Sequence, residues 1–62
     1  MKTNMVIKAK GKFFSSNPSA LQQISDILHN EYLDKIATSR PTPTSQGDYF
    51  ILITIYGEES QT

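Results

Sequence analysis

Apolar and charged side chains alternate from residue 5 onward: Met5, Ile7 and Ala9 fall on one side of an extended chain, and Lys8, Lys10 and Lys12 on the other. A period of two is that of a half-buried strand, and it predicts a first strand over residues 5–14. Gly11 interrupts the pattern, because Phe13 keeps the apolar parity while Phe14 falls opposite. An isolated glycine in a strand pattern predicts a bulge or bend at that point; a short hairpin turning at Lys10 and Gly11 is the lesser alternative.

The period then lengthens. Ala20, Leu21, Ile24, Ile27, Leu28, Tyr32 and Ile36 recur mostly three and four residues apart, with Gln22, Gln23, Asp26, Asn30 and Asp34 largely on the opposite side. This is the stripe of an amphipathic helix. Its start has a mechanism: Asn17 can accept from the free N–H groups of the first turn, and Pro18 has no N–H to leave unpaired. The spacing predicts a helix over 18–37. Pro41 and Pro43 forbid helix in the Ser- and Thr-rich stretch that follows, so 38–47 is expected to be an exposed loop. Residues 48–56 are β-branched and aromatic on both parities, with Tyr49, Ile51, Ile53 and Ile55 on one side and Phe50, Leu52, Thr54 and Tyr56 on the other. That is a strand covered on both faces. Residues 57–62 read as a polar tail that frays.

The chain is therefore expected to be one small α+β domain of strand, helix and strand. Its core should draw on Met5, Ile7, Ala9, Phe13, Leu21, Ile24, Leu28, Ile36, Phe50, Ile51, Leu52 and Ile53. A crossover through a helix favours parallel strands, although a ten-residue loop is long enough to return the chain and lay the last strand antiparallel.

Size and cysteine content sharpen this picture. A chain of 62 residues buries only about 60% of its unfolded surface, and such domains usually need a disulfide, a metal or a partner. Cysteine is absent, which removes the first and is in keeping with a reducing compartment, the cytoplasm. One helix covers one face of a two-stranded sheet, yet the last strand is apolar on both. A second copy completing a four-stranded sheet, or stacking its sheet face to face on the first, is the expected solution, with a dimer favoured, and Tyr49, Ile51, Ile53 and Ile55 are its candidate interface. Another protein is the other possible partner.

Six basic and six acidic residues cancel, so no overall field draws the chain to nucleic acid. The charge is nonetheless graded, +4 over residues 1–20, −1 over 21–40 and −3 over 41–62. Lys8, Lys10 and Lys12 form a candidate nucleic-acid contact, with Phe13, Phe14 or Tyr49 as stacking platforms; lysines on a strand also guard a sheet edge against aggregation. Arg40, Pro41 and Pro43 make a candidate recognition loop, since extended Pro-rich strips are preordered for docking. No apolar stretch is long enough for a membrane span or a signal-peptide core.

Catalytic chemistry finds no support. His29 is the single histidine and shares a helix face with Asp26, which gives two ligands where a metal wants more. The serines sit where caps and turns place them, without a Gly-x-Ser-x-Gly elbow. No glycine-rich phosphate loop occurs, and no cofactor is expected. The reading is a small non-catalytic interaction or regulatory protein acting through an oligomeric interface, with a nucleic-acid-binding module as the alternative.

Overall fold

Asn17 opens the helix by the expected device: its backbone is extended, and its side-chain oxygen accepts from the Ser19 N–H at 3.0 Å, with Pro18 in the first turn. In the computed structural model, which describes residues 2–61 and the side-chain surroundings of 4–59, β1 runs Lys2–Ser15, α1 Pro18–Tyr32, β2 Ile36–Thr38, β3 Thr42–Pro43 and β4 Tyr49–Gln61. The α+β class holds, with one helix on a four-stranded antiparallel sheet. All four strands come from one chain, in the order β1-β4-β2 with β3 also on β4.

The helix stops at Tyr32, four residues before its apolar stripe ends at Ile36. Leu33 takes φ 57° and ψ −119°, and the Lys35 N–H donates to the Tyr32 carbonyl at 3.0 Å. Those are the angles and the closure of a type II′ turn, which turns the chain back toward the sheet. Ile36 then pairs with Ile55 and is buried. The helical period through Ile36 yields here to a tertiary demand, because one side of β4 would otherwise carry unpaired backbone groups. The Lys35 carbonyl accepts from the Tyr56 N–H at 2.9 Å, and the Leu52 carbonyl accepts from the Ser39 N–H at 2.9 Å.

The expected lean toward parallel strands is corrected in the same way. β1 and β4 are antiparallel, from Lys2 opposite Gln61 to Ser15 opposite Tyr49. β2 is also antiparallel to β4, so β1 and β2 point the same way with β4 inserted between them. The parallel relation across the helix thus exists, but with the short strand that follows α1 directly. Residues 38–47 contain β3, in which Thr42 and Pro43 pair with Phe50 and Tyr49. The hairpin into β4 closes with Gly47 at φ 93°, and the Thr44 hydroxyl bonds the Asp48 carboxylate. The expected tail is strand as far as Gln61.

The irregularity in β1 lies at Lys8 and not at Gly11. Ile7 faces Tyr56 and Ala9 faces Ile55, leaving Lys8 as the extra residue, while Gly11 sits in register opposite Ile53. A bulge reverses the parity of everything before it. Ala9, Gly11 and Phe13 share the helix side with Ile51, Ile53 and Ile55, whereas Met5 and Ile7 share the other side with Tyr56 and Glu58.

The core is correspondingly small. Leu21, Ile36, Ile51 and Ile53 are buried, with Ile24, Leu28, Tyr49 and Ile55 packed around them. Met5, Ile7, Ala9, Phe13 and Leu52 are exposed and Phe50 is half-buried, against the expectation that they join the core. The reason is reach: fifteen helical residues span about 22 Å, while the molecule is 48 Å long. Beyond the helix, β1 and β4 continue as a two-stranded ribbon. No helix among the described residues is long and apolar enough to cross a membrane.

Candidate interaction surface

Among the described residues, nothing covers the side of the sheet away from α1. Register places Met5, Ile7, Lys10, Lys12 and Phe14 of β1 on it beside Phe50, Leu52, Thr54, Tyr56 and Glu58 of β4. Met5 is 51% exposed, Ile7 53%, Phe14 58% and Leu52 47%. Contiguous exposure of large apolar side chains, rimmed by charge, marks a surface that binds something. The Phe14 and Phe50 rings lie on adjacent strands with centres 5.9 Å apart, tilted by 44°. Lys12 Nζ stands 4.9 Å from the centre of Phe50 and 5.9 Å from that of Phe14. Toward the ribbon, Lys35 Nζ comes within 3.9 Å of Glu58.

This surface replaces the expected one. Ile51 and Ile53 are buried under the chain's own helix, with Tyr49 and Ile55 packed beside them. A partner cannot use side chains that α1 already covers, so the candidate interface on Tyr49, Ile51, Ile53 and Ile55 is corrected to the opposite parity of the same strand. In the sequence pattern that parity is Phe50, Leu52, Thr54 and Tyr56, of which Phe50 and Leu52 are expected in the core. Met5 and Ile7 join it only through the bulge, whereas Phe14 reaches it by the regular ladder, opposite Phe50.

The lysine stripe is divided by the same bulge. Lys10 and Lys12 stand on the open side. Lys8 lies across Gly57, where an added Cβ would come within 2.8 Å of the Lys8 Cγ, and Gly57 belongs to the helix side of β4 by register. Of the proposed stacking rings, Phe14 joins Lys12, whereas Phe13 and Tyr49 are on the helix side. The Pro loop is tied to the sheet: Pro43 pairs with Tyr49 and Pro41 is half-buried, leaving Arg40 exposed.

Hollows open on the helix side among the described residues. A polar one of 260 Å³ gathers Asp26, His29 and Arg40 around the Ser25 and Thr38 hydroxyls. Those hydroxyls are 2.6 Å apart, and His29 Nε2 is 3.1 Å from Thr38 Oγ1. Ser25 is buried, so this network fastens α1 to β2, and Thr38 is shared between two partners. Asp26 and His29 do lie together, but among the described residues no group of three metal-ligating side chains occurs. The second hollow, 170 Å³ and apolar, opens where Ala9 and Gly11 are too small to reach Leu28. No known protein family, curated protein or solved structure matches this chain.

Proposed function

We propose that the chain is a small non-catalytic interaction protein that acts as a self-associated assembly, two copies stacking their open sheet faces. One observation carries the reading: a core of four apolar side chains beside an uncovered face that displays Met5, Ile7, Phe14 and Leu52. A core that small is under-supplied for a chain of 62 residues without cysteine, and covering the second face of the sheet supplies the missing burial. The extents of 48 Å and 22 Å limit the face to at most about 1,000 Å², so most of it must be covered to reach the roughly 800 Å² per partner of a stable interface. A net charge of zero lets two copies meet without overall repulsion. The cytoplasm remains the compartment that the cysteine-free composition suits.

The test is to map the interface. Amide NMR spectra recorded from micromolar to millimolar protein should shift at Phe50, Leu52, Thr54 and Tyr56 while residues on the exposed side of α1 stay still. Concentration-dependent shifts confined to the helix would refute the assignment of the face.

A second reading is favoured by Lys12 over Phe14 and Phe50, since a cation beside exposed rings is how single-stranded nucleic acid is held. It ranks second because the bulge leaves two of the three stripe lysines, Lys10 and Lys12, on that face. Salt-sensitive binding of single strands that Lys10→Ala and Lys12→Ala abolish would promote it.

A further inference from the structure

β1 forms one margin of the sheet. β2 and β3 pair with β4 at the same residues that β1 pairs with, so they occupy the far edge of β4. The outer edge of β1 has no strand beside it among the described residues. It is the longest strand, 14 residues, and an edge of that kind presents a row of N–H and C=O groups to any chain that can pair with it. From Ala9 to Ser15 its ladder with β4 is regular, giving a straight edge of about 23 Å at the usual rise per residue.

Lysines alternate along this strand, Lys10 and Lys12 on the open side and Lys8 on the helix side; Lys12 rests over Phe50 and Lys8 over Gly57 of β4, and their long flexible stems let them swing outward to a strand added at the edge. No carboxylate lies between Ala9 and Ser15 or across from them on β4. The nearest in the ladder, Glu58 and Glu59, are opposite Met5 and Asn4 beyond the bulge. The edge therefore offers two complements at once, a backbone ladder and uncompensated positive charge.

We infer that the Ala9 to Ser15 edge of β1 receives an extended acidic strand of another protein. Strand addition of this type draws affinity from main-chain hydrogen bonds and selectivity from alternate side chains, and opposite charges directly across a strand pair are favourable. A second copy's β1 does not suit the edge, since it sets lysines against lysines, which is destabilising. A nucleic-acid strand answers the lysines but has no amide ladder to answer the backbone. An acidic strand answers both, with carboxylates beside Lys10 and Lys12 and apolar residues on the helix side beside Ala9 and Phe13. The lysines then serve twice: they refuse neutral and basic strands, and they admit acidic ones.

The experiment titrates the full chain with a nine-residue peptide of alternating Glu and Val, read by calorimetry and by amide NMR. Saturable binding is expected, with shifts along Ala9 to Ser15. Affinity should fall at least tenfold in the triple variant Lys8→Gln, Lys10→Gln, Lys12→Gln, whose fold is checked by circular dichroism. It should fall as far for the wild type when alternate peptide amides are N-methylated, a change that keeps the charge and removes the ladder. An N-methylated peptide that binds equally well would reduce the effect to surface charge and overturn the inference. So would no binding at all, or single-stranded DNA binding in place of the peptide. Leu52→Gln, which removes an apolar side chain from the open face without setting a charge opposite Lys12, should leave peptide affinity within twofold; a parallel loss would put the peptide on the open face and overturn the edge assignment.

Discussion

Lys12 Nζ reaches from β1 across to β4 and rests 4.9 Å from the centre of the Phe50 ring. The contact joins the charged and apolar parts of the open face, because the same ammonium is 5.9 Å from Phe14. A cation over an exposed ring contributes about 0.5–1 kcal/mol. Lys12→Gln is accordingly expected to lower unfolding stability by that amount in a denaturant titration, with no change in the slope. A loss above about 2 kcal/mol would mean that Lys12 holds more than these rings.

Leu33 occupies the position of a type II′ turn where glycine is favoured, and its side chain is 71% exposed. A non-glycine residue held at such a backbone conformation costs about 1–3 kcal/mol, partly offset by the greater unfolded-state entropy of glycine. Leu33→Gly should raise stability by roughly 1 kcal/mol, read from the denaturation midpoint. A decrease would show that Leu33 contributes packing that its exposure hides.

Thr38 bonds both Ser25 and His29, and Ser25 is buried. Thr38→Val leaves the Ser25 hydroxyl without its partner, at a cost of about 1–3 kcal/mol. Adding Ser25→Ala should recover most of that loss, as expected when both partners of a hydrogen bond are removed together. A double variant no more stable than the single one would contradict the fastening role assigned to this pair.

An added Cβ at Gly11 meets nothing within 4 Å, and the residue sits in a regular ladder opposite Ile53. Gly11→Val is expected to stabilise the fold by about 0.5–1 kcal/mol, through strand preference and partial filling of the apolar hollow. Destabilisation would restore the reading of Gly11 as a bend.

These tests follow the places where sequence pattern and fold part company. Asn17 and Pro18 declared the helix start because capping is local chemistry. The two-sided apolar pattern of β4 was equally legible, but not which side the helix would take. Ile51 and Ile53 went under α1, and Phe50 and Leu52 were left outside. The bulge falls on the strand that the pattern indicates but at Lys8 and not at Gly11, since the glycine that makes room for it is Gly57 of β4, under the Lys8 side chain, and only strand pairing brings those two residues together. Ile36 kept a helical period up to the moment that the unpaired edge of β4 claimed it. Each miss concerns long-range pairing, about which a local pattern is silent.

The open face is the centre of the account, and solution mass tests it most directly. Light scattering coupled to chromatography, run across a dilution series on the wild type and on Leu52→Glu, should give a dimer or larger species for the first and a monomer for the second. A wild-type chain that stays a well-folded monomer up to millimolar concentration would contradict self-association through this face.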